Sequence, residues 1–251
     1  MATPVFESMK REFGTELDLP PGFRSVTLRE AGDAFAHATA NASELGAGAL
    51  VFVGRFDLSE FAVVLEPDEP LSTARRAFYA GMVALADTLA GQAPPDKPIE
   101  FHWPDAVYVD GGIVGGGRLA WSKGAEDQPP DWLVFGAMVR TVSLTEGDAG
   151  LRPLSAALED EGFEGLESGR LAESFSRHLM TVVDTWQEKG FEAVANQYLP
   201  RLAPDKGASR TIDGGGDLMI RRVGKSEIEP RSLVTALSKP SWLDPKTGGP
   251  R

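Results

Sequence analysis

The sequence contains no cysteine, and this absence removes several kinds of chemistry at once. A chain without cysteine has no disulfides, no zinc site with thiolate ligands and no cysteine nucleophile. Histidine is scarce as well: there are three residues, at positions 37, 102 and 178. They show no ligand spacing, so we predict no metal site. No stretch approaches the roughly 18 consecutive apolar residues of a membrane-spanning helix.

Positive charge is the second shortage. The 25 Lys and Arg residues stand against 37 Asp and Glu residues, which gives a net charge of -12. Proteins that bind nucleic acids or anionic membrane surfaces depend on cationic side chains, so we expect neither partner. The first residues, MATPVFESMKREFG, lack the basic start and apolar run of a secretory signal. We therefore expect a cytoplasmic protein.

The remaining composition is that of a globular protein. Apolar residues make up 42% of the 251 positions, which suits one large domain with a small appendage. We predict an N-terminal lead-in over residues 1–23, a main domain over 24–200 and a small β-rich unit over 201–251. The boundary falls in the turn-rich segment PRLAPDKG.

Apolar patterning predicts strands and helices in the main domain. Two nearly continuous apolar runs, 49–53 and 61–66, are typical of strands covered on both faces. Helical spacing over 72–90 predicts an amphipathic helix with Ser72 as its N-cap. Two strands joined by the Asp-Gly-Gly turn at 110–112 follow, and then a strand in 132–144. Together these elements predict an α+β fold.

The segment FHWPDAVYVDGGIVGGGRLAW, residues 101–121, combines a Trp-Pro-Asp corner with a run of glycines. Its GGGRLA portion matches G-x-G-x-x-A, but a dinucleotide fingerprint needs a helix directly after it, and a polar loop follows here. Neither a P-loop nor a G-x-S-x-G nucleophile motif is present. Asp57, Glu60 and Asp131 could each serve as an acid or base, and the sequence ranks none above the others.

The order of these motifs resembles the biotin/lipoate protein ligase family. His102-Trp103-Pro104-Asp105-Ala106 stands where that family has Lys-Trp-Pro-Asn-Asp, and the strand, Asp-Gly turn and glycine strand follow without a gap. The segments 61–71 and 133–142 are similar to two further strands of the family. The segment SRTIDGGGDLMIRR is similar to a shortened form of the small β domain of the ligases.

The resemblance implies a mixed sheet flanked by helices. It implies a biotin-, lipoate- or octanoate-type acid as ligand, with ATP and Mg²⁺ as cofactors if the chain is active. It implies transfer of the acyl group to a lysine of a biotinyl or lipoyl carrier domain. It also implies a ligand pocket beside glycine backbone, where side chains would block a narrow slot. The candidate ligand-binding residues are Gly54, Arg55, Trp103, Pro104, Asp105, Gly115, Gly116, Gly117 and Gly136.

The sequence departs from the family pattern at the catalytic position. The family's catalytic lysine aligns with Ile113, which cannot stabilise negative charge at carboxyl and phosphate oxygens. The long Gly-Arg loop of the ligases is reduced to residues 54–57. Arg55, His102 and Arg118 are the candidate catalytic residues that could replace the lost cations.

Three hypotheses remain open at this stage. The chain is an acyl ligase that forms an adenylate, or a catalytically inactive member that binds a ligand or docks a carrier domain. Alternatively, it shares only the fold and binds an unrelated ligand. The sequence does not determine the oligomeric state.

Overall fold

A computed structural model describes residues 17–29, 32–143 and 155–251 of the chain. The main domain contains β1 (Arg24–Arg29), α1 (Ala34–Leu45), β2 (Ala49–Gly54), β3 (Leu58–Leu65), α2 (Leu71–Ala74), α3 (Ala77–Ala90), β4 (Ile99–His102), β5 (Ala106–Val109), β6 (Gly112–Trp121), β7 (Leu133–Arg140), α4 (Ser168–Lys189) and α5 (Phe191–Tyr198). A 3₁₀ turn (Leu199–Arg201) leads to β8 (Ala208–Ile212), β9 (Leu218–Arg222), β10 (Ile228–Arg231) and α6 (Leu233–Leu237).

The first seven strands form one mixed sheet in the order β1-β2-β3-β7-β6-β5-β4. The β1 and β2 strands are parallel, and every other neighbouring pair in this sheet is antiparallel. The glycine-rich β6 therefore lies between β5 and β7. This topology confirms the predicted α+β fold with a mixed sheet.

One side of the sheet, here called the back face, packs against α3, α4 and α5. Alternate strand residues such as Phe61, Phe135 and Val107 point into this layer and share a core with Phe78 and Phe175. Because α3 lies between the sheet and α4, it is buried around most of its circumference. Burial on this scale, at roughly 25 cal/mol per Å² of apolar surface, stabilises the back layer of the fold.

The other side, here called the front face, is covered in two parts. Helix α1 packs over β2, β3 and β7, because its small Ala34, Ala38 and Ala42 allow close approach to the strands. Over β5, β6 and β7 the cover is the C-terminal segment, residues 241–251, which places Trp242 against the sheet. The front face is where the sequence-predicted site residues concentrate.

The structure corrects some element boundaries. The predicted helix over 72–90 is two helices, α2 and α3, and Ser72 lies inside α2 while Pro70 is the N-cap residue. The C-terminal unit contains a three-stranded antiparallel sheet in the order β10-β9-β8. The boundary over residues 200–207 stays a prediction. Within the described ranges, none of the helices combines the length and apolar content needed to cross a lipid bilayer.

Candidate functional site

Strand register places Gly116 at the centre of a row of residues that runs across the front face. Reading from the sheet edge, the paired positions are His102, Ala106, Gly116, Met138 and Glu60. Neighbouring strands lie about 4.8 Å apart, so the four steps from His102 to Glu60 span about 19 Å. The row thus places two predicted site residues, His102 and Gly116, in line with the buried carboxyl of Glu60.

Around Gly116 the front face is apolar and covered by the chain itself. Leu58, Ala106, Ile113 and Met138 form a cluster with Trp242, and we call this set the apolar half of the front face. Trp242 is fully buried, and its indole Nε1 donates a hydrogen bond to the Gly117 carbonyl oxygen at 3.1 Å. Ile113, which the sequence resemblance aligns with the catalytic lysine of the family, is therefore packed among apolar side chains.

The glycines of β6 serve close packing on both faces. A Cβ atom at Gly116 would overlap the Asp105 carbonyl oxygen and the Trp242 indole, whereas one at Gly117 would overlap Met82 on the back face. Gly115 has φ of +157° and lies against the backbone of β7 at a bulge in the pairing with β5. The glycine run lies inside strand β6, and the next element is strand β7 rather than a helix. The structure therefore agrees with the prediction that this run is not a dinucleotide-binding motif.

The Trp-Pro-Asp corner, which contains a cis Trp103-Pro104 peptide, contributes to both faces. Trp103 Nε1 donates to the Tyr79 hydroxyl at 3.2 Å on the back face. Asp105 is fully buried and accepts two hydrogen bonds from Ser241, at 2.8 Å from its amide and at 2.6 Å from its hydroxyl. Burial raises the pKa of the Asp105 carboxyl, and the bonds from Ser241 oppose that rise. Of the three corner residues, Asp105 is the one that binds the C-terminal segment covering the front face.

Beside the apolar half lies a group of charged residues at the N-terminus of α1. Arg118 pairs with Asp33 at 3.1 Å, and its guanidinium carbon lies 4.4 Å from the centre of the Phe35 ring. Asp33 is also the N-cap of α1 and accepts from the Ala36 amide at 2.9 Å. Phe35 in turn fills the space above Gly136. Arg118 is thus held by a carboxylate and an aromatic ring at once.

Glu60 is the buried carboxyl of this group. It is 2% exposed and accepts the Ala34 amide at 2.7 Å. Burial raises the pKa of Glu60, while the Ala34 hydrogen bond and the nearby Arg118 and Arg55 guanidinium groups act in the opposite direction. Arg55 follows Gly54 on the short turn after β2 and pairs with Asp57 through two hydrogen bonds, at 3.0 and 2.6 Å. We call Asp33, Arg55, Asp57, Glu60 and Arg118 the charged half of the front face.

The structure brings Arg55 and Arg118 into one region but leaves His102 outside it. His102 lies on the edge strand β4 with an exposed side chain, and its ring stacks on Tyr108 at a centroid distance of 3.9 Å. The apolar half separates it from the two arginines. Asp131 lies in the β6–β7 loop, where its amide donates a hydrogen bond to the Ser122 hydroxyl oxygen, and it belongs to neither half.

A family model places the chain among known proteins. Residues 19–200 match the Biotin/lipoate A/B protein ligase family. The chain belongs to this family. The resemblance drawn from the sequence motifs is thereby confirmed, and the mixed sheet with its flanking helices is the fold of the family's solved members.

Several solved structures resemble this family member. A biotin protein ligase-like protein of unknown function from Silicibacter sp. TM1040 is 25% identical with a TM-score of 0.75, covering 89% of this chain and 100% of its own. Biotin protein ligase from Aquifex aeolicus is 14% identical with a TM-score of 0.63, covering 83% and 99%. The same Aquifex enzyme in complex with biotin and ATP has a TM-score of 0.59 at 13% identity, covering 82% and 98%. Among proteins with curated descriptions, none matches the chain in sequence.

The residues of this family member do not fit an ATP–Mg²⁺ group at the front face. Ile113 supplies no charge, and both arginines already bind carboxylates. Two cations stand against three carboxyl groups in the charged half, so the local balance does not favour an incoming triphosphate. In the ranges that the structure describes, no three His, Asp or Glu side chains are grouped to hold a metal ion.

Sequence reasoning missed several residues that shape this site. Asp33 had a usable signal, because an aspartate directly before an alanine-rich helix is a typical N-cap. Trp242 and Ser241 had none, since they lie in a turn-rich segment more than 120 residues from Gly117 and Asp105, the residues they bond.

Proposed function

We propose that this family member binds a small organic acid of the biotin, lipoate or fatty-acyl class at the front face and does not activate it with ATP. The observation that carries the proposal is the division of the front face into two halves. The charged half holds arginines suited to a carboxylate, whereas Ile113 lies in the apolar half beneath Trp242. The protein is then a ligand-binding member of a family that contains ligases.

Arg118 is the residue we assign to the ligand carboxylate. Its guanidinium is flanked by the Phe35 ring and points to the N-terminal end of α1. Its partner Asp33 has a side chain that is 47% exposed, so a ligand carboxylate can take over this ion pair with little rearrangement. A planar guanidinium binds a carboxylate through two parallel hydrogen bonds, which would fix the orientation of the acid.

The apolar part of the ligand would extend along β6 toward Gly116. On the front face this strand presents Gly116 beneath the Trp242 indole, so a narrow chain or ring would lie on its backbone in place of the indole. The protein partner would be a carrier domain that already bears the same acyl group. In this proposal the carrier domain docks on this protein, but no acyl group passes to it from an adenylate.

Calorimetric titration with biotin, lipoate and octanoate tests the assignment of Arg118. We expect Arg118→Met to weaken binding of the preferred acid at least tenfold, because the methionine keeps the contact with Phe35 but loses the charge. Arg75→Met is the matched control, since Arg75 lies 4.6 Å from the Trp121 ring centre and pairs with Glu126 outside the site. Equal weakening by both variants, or none by Arg118→Met, would contradict the assignment.

An adenylate-forming acyl ligase is the second candidate. One observation favours it: Arg55 and Arg118 both lie near enough to Glu60 to oppose the rise of its pKa. In that case the two arginines would have to leave Asp57 and Asp33 to stabilise the carboxyl and phosphate oxygens in place of the family lysine. Acid-dependent exchange of pyrophosphate into ATP distinguishes this candidate from the first.

A further inference from the structure

Trp242 occupies a position on the sheet that is shaped for it. Its ring lies where a side chain at position 116 would project, so the contact depends on Gly116 having no Cβ. Its Nε1 satisfies the Gly117 carbonyl oxygen, and its ring packs on Leu58, Ile113 and Met138. An indole therefore fills the part of β6 over which the apolar portion of a ligand would extend.

Polar contacts hold the segment on both sides of the indole. Before it, Ser241 bonds both carboxyl oxygens of Asp105. After it, the chain folds back on itself, so that the Arg251 amide donates to the Trp242 carbonyl oxygen at 2.8 Å. The Ser155 hydroxyl donates to the Arg251 carbonyl oxygen at 2.8 Å. These contacts are hydrogen bonds to a few groups at the rim of the apolar half.

The segment itself contributes little to the main core. Between residues 241 and 251, only Trp242 and Pro250 are buried, and most of the others are exposed. The segment follows α6, and its β-bridge joins two of its own residues, Leu243 and Pro250. Its further contact with the sheet is made by Arg140 of β7, whose guanidinium donates to the Pro250 and Arg251 carbonyl oxygens. The segment can therefore leave the sheet as a unit without breaking a strand pairing of the seven-stranded sheet.

We propose that residues 241–251 form a reversible lid, in which Trp242 occupies the apolar half of the ligand site and competes with the acid. This inference rests on the proposed function for the identity of the competing ligand. The closed lid excludes water and ligand from β6. An open lid exposes a slot lined by Gly116, Ile113 and Met138, with the Gly117 carbonyl oxygen as a hydrogen-bond acceptor.

The test uses the full chain with Trp242→Ala, and Trp132→Ala as the matched control. Trp132 packs against the α1 side of the sheet, so its loss removes a tryptophan without opening the slot. We expect millimolar indole to raise the melting temperature of Trp242→Ala only. We expect the preferred acid to bind Trp242→Ala at least tenfold more tightly than the unmodified chain or Trp132→Ala.

Hydrogen exchange on the unmodified chain provides evidence that does not depend on the variant folding. A lid predicts that the Asp244 and Arg251 amides exchange by local opening, at rates insensitive to low denaturant, while amides of β6 and β7 exchange only on global unfolding. Ser241→Ala removes one hydrogen bond to Asp105 and should speed exchange in the lid alone.

The outcomes separate the lid from the proposed function. Equal affinity of an acid for the unmodified chain and Trp242→Ala would overturn the lid and leave the ligand class standing. Indole binding with local exchange, but no binding of any of the three acids, would support the lid and overturn the ligand class. Exchange of the 241–251 amides only on global unfolding would overturn the lid, since Trp242 would then be a permanent part of the core.

Discussion

The two halves of the front face lie side by side on the same strands but differ in what covers them. The charged half lies under the N-terminal end of α1 and keeps two arginines and three carboxyl groups. The apolar half lies under Trp242, and the side chains at its rim include Asp105, which bonds Ser241, and Arg140, whose guanidinium donates to the Pro250 and Arg251 carbonyl oxygens. We propose that binding of an acid and chemistry on it have separate requirements, and that this chain keeps only those for binding.

The largest expected effect comes from adding a side chain at position 116, directly beneath the Trp242 indole. Gly116→Val places side-chain atoms against the Asp105 carbonyl oxygen, and backbone cannot yield as a flexible side chain can. We expect the free energy of unfolding to fall by about 3 kcal/mol, measured by urea denaturation. Gly124→Val is the control, because no atom lies within 4 Å of a Cβ at that exposed position. A Gly116→Val chain as stable as the control would contradict the close seating of Trp242.

Introducing charge into the apolar half should also be costly. Ile113→Lys restores the family's residue type at a position that is 5% exposed beneath Trp242. An ammonium group without a partner there should lower the free energy of unfolding by about 3 kcal/mol. Ile113→Met keeps volume and polarity and should cost less than about 1.5 kcal/mol. Equal stability of the two variants would mean that position 113 is not a dry site.

Removing charge from the other half should have a smaller, pH-dependent effect. Burial raises the pKa of the Glu60 carboxyl, so the folded state binds a proton at Glu60 more tightly than the unfolded state does. The stability gained from protonated Glu60 is present below the ordinary carboxyl pKa of about 4.3 and is lost as pH rises through the raised value. The stability of the natural chain relative to Glu60→Gln should therefore decline as pH rises from about 4.

Glu126→Gln gives a control of opposite sign for this titration. The Arg75 guanidinium lowers the pKa of Glu126, so its contribution is present above the ordinary carboxyl pKa and is lost as pH falls. Urea denaturation at a series of pH values measures both variants. If the stability differences between the natural chain and the two variants, Glu60→Gln and Glu126→Gln, change with pH in the same direction, burial does not raise the pKa of Glu60.

The front face also illustrates how far sequence reasoning reaches. The strands were predictable, because apolar runs and the Asp-Gly-Gly turn are local signals that agree with the observed β5–β6 hairpin. The isoleucine at position 113, where the resemblance places the family lysine, is visible in the sequence itself. That Arg55 and Arg118 both lie near Glu60, while His102 lies on the edge strand, depends on strand order and register, which no local pattern encodes.

The cover of the apolar half lay beyond sequence reasoning for a different reason. Trp242 lies in a turn-rich segment without apolar periodicity, and its contact with Gly117 joins distant parts of the chain. Glu60 is an intermediate case: a charged residue inside the apolar run LSEFAVVL signals a buried partner, but only the packing of α1 reveals that the partner is the Ala34 amide.

The most direct test of the central claim measures binding and activation on one preparation. The acid that binds best in calorimetry is assayed for its ability to exchange labelled pyrophosphate into ATP, in the natural chain and in Trp242→Ala. Our account predicts saturable binding with no acid-dependent exchange above the protein-free blank in either chain. Exchange that rises with the concentration of biotin, lipoate or octanoate would contradict it, and would favour the adenylate-forming ligase.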